Sequence, residues 1–286
     1  LLRKRLATQP DDILASGRLV EVLLAQGQTA KAEAEARRMT ALQNQTGVGD
    51  FQLARVLLQK QDLAGATEAF RKSLATRTND PLPLEGLVRT LVAQGKTTEA
   101  KDVLEGQLDN SENQLFAKFL LGGIYGREGD QASAERYLEE VLKEKPDSVV
   151  AYVSLAGLYR EDPEARMAVY RRGLKAVPDN PELGMLLGTE LEQAGRYDEA
   201  IAHYEGMVKA QPEFLAAINN LAALLLDHRE DTASHARALE LARPLENVDN
   251  PAMLDTLGWA YYRTGDHNRA VQVLERVVAK ANNFAI

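Results

Sequence analysis

Gly95-Lys96-Thr97 carries the chemistry of the end of a phosphate-binding loop, in which backbone N–H groups cradle the phosphate and the lysine neutralises it. That loop needs a further glycine five residues before Gly95, and Thr90 stands there. It also has to follow a strand, whereas these residues lie between two helical patterns. Nucleotide binding therefore has no support. Gly122, Gly123, Gly126 and Gly129 form a second glycine-rich run, with the wrong spacing for a dinucleotide fingerprint. Small residues there let helices approach closely. The four histidines, His203, His228, His235 and His267, include no i, i+4 pair, and no cysteine supplements them, so a zinc ligand set is missing. His267 follows Asp266 in LGWAYYRTGDHNRAVQVLE, the stretch that also holds Trp259 and Tyr262. An acid–base pair needs convergent partners. Here a helix-capping role accounts for both residues. No catalytic residue, metal or cofactor is expected, and the chain reads as a protein that is not an enzyme.

Bulk charge narrows the partners. The 286 residues carry a formal net charge of −8. Phosphate backbones need a clustered cationic face, so nucleic acid is an unexpected partner. No apolar run approaches the roughly 20 residues of a membrane helix, so no direct membrane insertion is expected. The absence of cysteine removes disulfides and thiolate chemistry without fixing the compartment. The opening LLRKRLATQPDD lacks the apolar stretch of a signal peptide and reads as a cut inside a longer protein.

What must position these residues is a repeat. Leu19, Leu53, Leu87, Leu121, Leu155, Leu187, Leu221 and Leu257 follow one another at spacings of 34, 34, 34, 34, 32, 34 and 36 residues. Counting 21 residues back from the next leucine gives Ala32, Ala66, Ala100, Ala134, Ala200 and Ala236, with Ala270 equivalent in the last repeat and Arg166 the one exception. Turns such as AQGK, REGD and RTGD separate leucine from alanine. Each unit therefore reads as two helices. The first stops at a residue such as Gly129, Asp130 or Asp266 caps the next, and Pro146, Pro178 and Pro212 close the second. The irregular spacings predict a tighter turn at REDPEAR in the fifth unit and a longer one around HREDTASHAR in the seventh.

This pattern resembles the tetratricopeptide repeat family. The sixth unit, LLGTELEQAGRYDEAIAHYEGMVKAQP, places Leu187, Gly188, Gly195, Ala200, Tyr204 and Pro212 at the signature positions. The resemblance implies an all-α fold, a right-handed superhelical solenoid of about eight helix-turn-helix units. Their bounds are 13–46, 47–80, 81–114, 115–148, 149–180, 181–214, 215–250 and 251–284. Residues 1–12 match the second helix of a truncated preceding repeat, and 285–286 would start a further helix.

In that family the first helices line a concave groove through positions 2, 5, 6, 9 and 12 of each unit. The resemblance thus assigns Phe51, Arg55, Arg89, Phe116, Phe119, Asn219, Asn220, Asp255, Trp259 and Tyr262 to a partner-binding groove. Aromatics and arginine are the types enriched in binding hot spots. Arg55 and Arg89 share position 9 of consecutive units, which would stack two cations on one wall. Phe51, Glu85 and Phe119 occupy position 5, where chaperone-binding members carry lysines.

Three functions follow. The leading one is a non-enzymatic scaffold that binds a protein or peptide partner in the groove. A second is a substrate-recruiting or regulatory arm of an enzyme whose catalytic domain lies elsewhere. A third is a carbohydrate-binding surface with a polysaccharide partner. Residues 219–266 resemble the terminal repeats of bacterial envelope lipoproteins linked to exopolysaccharide export. That implies a periplasmic or envelope-associated location, with the cytoplasm as the alternative.

Overall fold

The computed structural model describes residues 2–42, 46–110 and 112–283. Among these the chain forms seventeen α-helices, one 3-10 helix and no strand. It divides into two compact units, Leu1–Glu144 and Lys145–Ile286. The division falls at the end of the fourth helix pair, close to the expected boundary at 148.

The first unit holds α1 (Leu2–Thr8), α2 (Ile13–Ala25), α3 (Thr29–Thr40), α4 (Val48–Gln59), α5 (Leu63–Thr76), α6 (Pro81–Ala93), α7 (Thr97–Glu105), α8 (Gln114–Glu128) and α9 (Gln131–Glu144). The second holds α10 (Val149–Ala156), α11 (Pro163–Ala176), α12 (Pro181–Gln193), α13 (Tyr197–Ala210), α14 (Leu215–His228), α15 (Thr232–Ala242), a 3-10 helix (Arg243–Asn247), α16 (Pro251–Arg263) and α17 (His267–Asn283). Residues 285–286, expected to begin another helix, lie outside the described residues. Within each unit every helix packs on the next in sequence, and alternate helices touch as well: α2 with α4, α4 with α6, and α14 with α16. No single pair could bury enough apolar surface alone, so stability comes from stacking neighbours.

Local chemistry sets the helix ends. Asp62 and Asp162 accept from the amides of Gly65 and Ala165, each at 2.9 Å, and Asn180 accepts from Leu183 at 3.0 Å. Proline stands in the first turn of α6, α11, α12 and α16, where its missing N–H would have had no helical partner. Asp231 caps α15 through Ser234, whose side-chain and backbone bonds hold the Asp231 carboxyl below its usual range.

In six of the eight pairs the turn closes on a left-handed residue, the exceptions being α10–α11 and α14–α15. Gly27, Gly95, Gly129, Gly195 and Gly265 take φ between 70° and 86°, but Gln61 takes the same conformation at φ 62°. A side chain with a Cβ is strained there, by about 1–2 kcal/mol, against the smaller entropic penalty of glycine. Replacing Gln61 by glycine is expected to stabilise the α4–α5 pair by about 0.5–1 kcal/mol. Slower hydrogen exchange in those two helices is the readout, and an unchanged or faster rate contradicts it.

Two expectations about the irregular repeats are corrected. The fifth repeat is short because α10 has only eight residues and stops at Ala156. Residues 157–162 then connect it to α11, so the loss falls in the helix and REDPEAR does not make a tighter turn. In the seventh repeat the connection between α14 and α15 is the usual three residues, 229–231. Of its two extra residues one lies in α14, which ends seven residues after Leu221 where α4, α12 and α16 end six after their leucines, and the other lies after α15, in the stretch that holds the 3-10 helix and residues 248–250. The alanine column changes accordingly. The buried position lies four residues after the cap: Asp62 to Ala66, Asp266 to Ala270, and Asp231 to His235. His235 is 6% exposed, whereas Ala236 is an exposed residue. The seventh repeat therefore breaks the alanine pattern as the fifth does.

Candidate functional site

The ten groove residues fall into two sets, five in each unit. In the first unit Phe51 is half-buried against the core, its ring edge-on to Phe70 at 6.0 Å. The guanidinium groups of Arg55 and Arg77 lie 5.9 and 5.5 Å from its centroid. Phe116 also packs on that core, while Phe119 is half-buried on α8. Arg55 donates to Glu21 at 2.9 Å and to Gln52 at 3.0 Å. Glu21, Arg55 and Arg89 occupy position 9 of three successive repeats, so one of the two cations on this wall is already matched by a carboxylate. The pair is solvent-exposed and contributes at most about 1 kcal/mol. Arg89 is exposed and makes no ion pair with another described residue.

The second unit assembles a more distinctive surface. On α16, Trp259 is 37% exposed and Tyr262 51%, and their rings stack at 5.1 Å with an interplanar angle of 11°. Leu257 and Tyr261, on the neighbouring face of the same helix, are buried. The Trp259 indole donates to Asp227 Oδ1 at 3.1 Å, the Arg263 guanidinium lies 5.7 Å from its ring, and the His267 ring lies 5.4 Å from that of Tyr262. Asp255 is exposed one turn before Trp259. A second ring pair, Tyr197 on His228, stacks at 3.6 Å beside Asp227 in sequence.

Asn219 and Asn220 lie on α14, which packs directly against α16. Asn219 Nδ2 donates to Asn220 Oδ1 at 3.3 Å, and Asn220 Nδ2 donates to the Tyr204 hydroxyl at 3.0 Å. Tyr204 in turn donates to Glu192 at 2.7 Å. Burial pushes the Tyr204 hydroxyl well up, so it stays protonated and remains a donor. Asn219 Oδ1 is buried and accepts no hydrogen bond from the described residues.

Asp227, Glu192 and Glu21 escaped the sequence reading. Glu21 and Glu192 stand at groove positions 9 and 12 and could have been named from the repeat. Asp227 is at position 13, and only the reach of the indole identifies it. Of the residues considered for other chemistry, Gly95 ends a helix in the left-handed conformation and Thr90 donates within its own helix to Gly86 O at 2.7 Å. Asp266 accepts from the Arg269 amide at 3.1 Å, as a cap does.

Comparison with known proteins follows the same periodicity. Family models described as tetratricopeptide repeat match residues 14–38, 119–181, 185–245 and 252–282. The chain is 24% identical over 232 residues to DnaJ homolog subfamily C member 3 of Mus musculus, covering 71% of this chain and 46% of that protein. It is 24% identical over 285 residues to cellulose synthase operon protein C of Pseudomonas fluorescens (strain SBW25), covering 90% of this chain and 22% of that protein. The chain thus spans less than half the length of these curated relatives. Among solved structures, the C-terminal part of a TPR repeat-containing protein from Cytophaga hutchinsonii aligns at a TM-score of 0.50 and 15% identity, over 84% of this chain and 99% of that one. That likeness is one of fold.

Proposed function

The chain belongs to the tetratricopeptide repeat family, and from that premise we propose that it is a non-enzymatic scaffold whose first helices bind a peptide segment of a partner protein. The fold is one that serves protein interaction. The observation that carries the finer reading is the exposed, stacked Trp259–Tyr262 pair on α16, a helix that packs on α14, which carries Asn219 and Asn220. Stacked rings offer apolar contact at low entropic loss, and the amides serve a dehydrated peptide backbone. The indole is fixed by Asp227, so little ordering remains for binding.

Replacing Trp259 by alanine is expected to weaken such binding by about 1–3 kcal/mol, a moderate hot-spot effect. A peptide-display selection on the purified chain, followed by titration of the best binder while tryptophan fluorescence is read, checks this. Binders whose affinity is indifferent to loss of both Trp259 and Tyr262 would sink the assignment.

The same flat ring pair favours a second reading, a polysaccharide partner whose sugar faces stack on the aromatics. Titration with soluble glucan oligosaccharides in the same fluorescence assay separates the two. An envelope-associated, periplasmic setting accompanies both readings. Its support is the resemblance of residues 219–266 to envelope lipoproteins and the similarity to cellulose synthase operon protein C. Fractionation of cells expressing the full-length protein tests it.

A further inference from the structure

The sixth repeat lacks a ring that the fifth repeat has. In the fifth, Tyr152 is the fourth residue of α10 and is buried. Opposite it, Gly173 is the eleventh residue of α11, and a Cβ there would lie 3.0 Å from Tyr152 Cγ. The Arg172 guanidinium covers the ring at 5.4 Å. In the sixth repeat the fourth residue of α12 is Gly184, and the eleventh residue of α13 is Met207. The large–small pair has been exchanged for a small–large one, and the covering arginine is replaced by Gly206. Methionine is unbranched and flexible, and it fills this space only in part. Its Cε and Sδ come within 2.7 and 2.9 Å of where a Gly184 Cβ would stand, while a Cβ at Gly206 would meet nothing within 4 Å.

What remains is a solvent-open pocket of about 280 Å³, whose lining joins Gly184, Met207 and Phe214 to the polar His203, Asn180 and Gln211, with the exposed Gly206 at its edge. An apolar cavity of about 150 Å³ suffices to bind benzene, so this pocket has room for a substituted ring. It stands at the lower limit of small-molecule sites, which begin near 300 Å³. A single ring system is therefore the appropriate occupant. His203 Nε2 lies 2.8 Å from the Gly184 carbonyl oxygen, which can only accept, so Nε2 carries the proton and Nδ1 is left as an acceptor. Burial lowers the His203 pKa and favours this neutral form.

We propose that this pocket is a binding site for a free small aromatic molecule carrying one hydrogen-bond donor, a phenol or an indole, seated where Tyr152 sits in the preceding repeat. The site is built by α11, α12 and α13 and uses none of the groove residues, so it does not rest on the function proposed above. The ring takes the space left by the exchanged Gly184–Met207 pair, and its donor meets the His203 imidazole.

The test uses the whole chain titrated with p-cresol and with indole, followed by calorimetry and by the methyl resonance of Met207. Saturable one-to-one binding that shifts this methyl is expected, and it should persist in the Trp259→Ala protein. The double exchange Gly184→Tyr with Met207→Gly rebuilds the fifth-repeat arrangement and supplies the ring from within. It should weaken binding by at least roughly tenfold and raise the thermal midpoint. If that protein fails to fold, Gly206→Arg, on an exposed position, restores the cover alone and should also weaken binding. Absence of saturable binding to the unaltered chain overturns the proposal. So does equal binding to the exchanged protein or to Gly206→Arg, because the ligand would then sit elsewhere. Binding of N-acetyl-tryptophanamide with no binding of free indole or p-cresol also overturns it, since the site would then read a polypeptide.

Discussion

Replacing Arg166 by alanine, the residue that six of the eight repeats carry four positions after the cap, is expected to destabilise the second unit by about 2–4 kcal/mol. By helix propensity and family pattern the substitution should be harmless or helpful, since alanine is favoured over arginine in a helix by only a few tenths of a kcal/mol. The surroundings reverse the sign. Because α10 stops at Ala156, the carbonyl groups of Tyr159 and Arg160 fall outside the helix ladder, and Arg166 Nη1 donates to both, at 2.8 and 2.6 Å. Its Nε and Nη2 fork onto the two oxygens of Glu190 on α12, at 2.7 and 2.8 Å. The two side chains are 17% and 14% exposed. Glu190 beside it raises the Arg166 pKa further, so the cation is permanent. Alanine would leave a half-buried carboxylate without its cation and take a donor from two carbonyl oxygens, of which that of Tyr159 keeps the Asp162 amide at 3.1 Å. A solenoid need not unfold in one step, so hydrogen exchange of α10–α12 is the appropriate readout. Glu190→Gln should be milder, and the two changes together should cost less than their sum. A loss below about 0.5 kcal/mol for Arg166→Ala would place it among ordinary surface changes and refute the argument.

The seventh repeat solves a related problem with different residues. His235 takes the alanine position, and Arg263 of the next repeat lies against it at 2.8 Å while donating to the Leu226 carbonyl at 2.6 Å. These two substitutions mark how far the sequence was legible. The leucine column, the alanine column and the turn glycines can be read because each is fixed by packing within one repeat. Arg166 was visible as an exception for the same reason. His235 was not, since counting 21 residues back from Leu257 crosses the 3-10 helix Arg243–Asn247 and arrives one residue late, at Ala236. The cap Asp231 is a local signal and gives the correct register. The groove was legible by position but not by environment. Phe51 and Phe119 both stand at position 5, yet Phe51 packs on the core through Phe70, an arrangement that depends on the neighbouring pair. The partners of Arg55 and Trp259 lie in the preceding repeat, 34 and 32 residues away, and depend on rotamers no periodicity encodes.

Tyr204 joins the core to the groove, and its removal should have the largest effect in the molecule. Its ring is fully buried, and Gly188 is bare because a Cβ there would come within 2.4 Å of Tyr204 Cζ. Truncation to alanine is expected to cost about 3–5 kcal/mol, the range for a buried aromatic whose space cannot collapse. Much of that is cavity and says nothing about function. Phenylalanine keeps the ring and removes only the oxygen that donates to Glu192 and accepts from Asn220. Two polar groups then lose their shared partner, for about 1–2 kcal/mol in hydrogen exchange of α12–α14. Asn220, no longer held, should also become free to turn in the groove. If the amides of α14 read a partner's backbone, Tyr204→Phe must weaken peptide binding although the hydroxyl is too deep to touch the peptide. Trp259 fluorescence in the free protein should stay unchanged, because its tie to Asp227 does not pass through Tyr204. Unaltered peptide affinity in a folded Tyr204→Phe protein would confine the Glu192–Tyr204–Asn220 chain to holding repeats together. The aromatic pair on α16 would then have to account for binding without it.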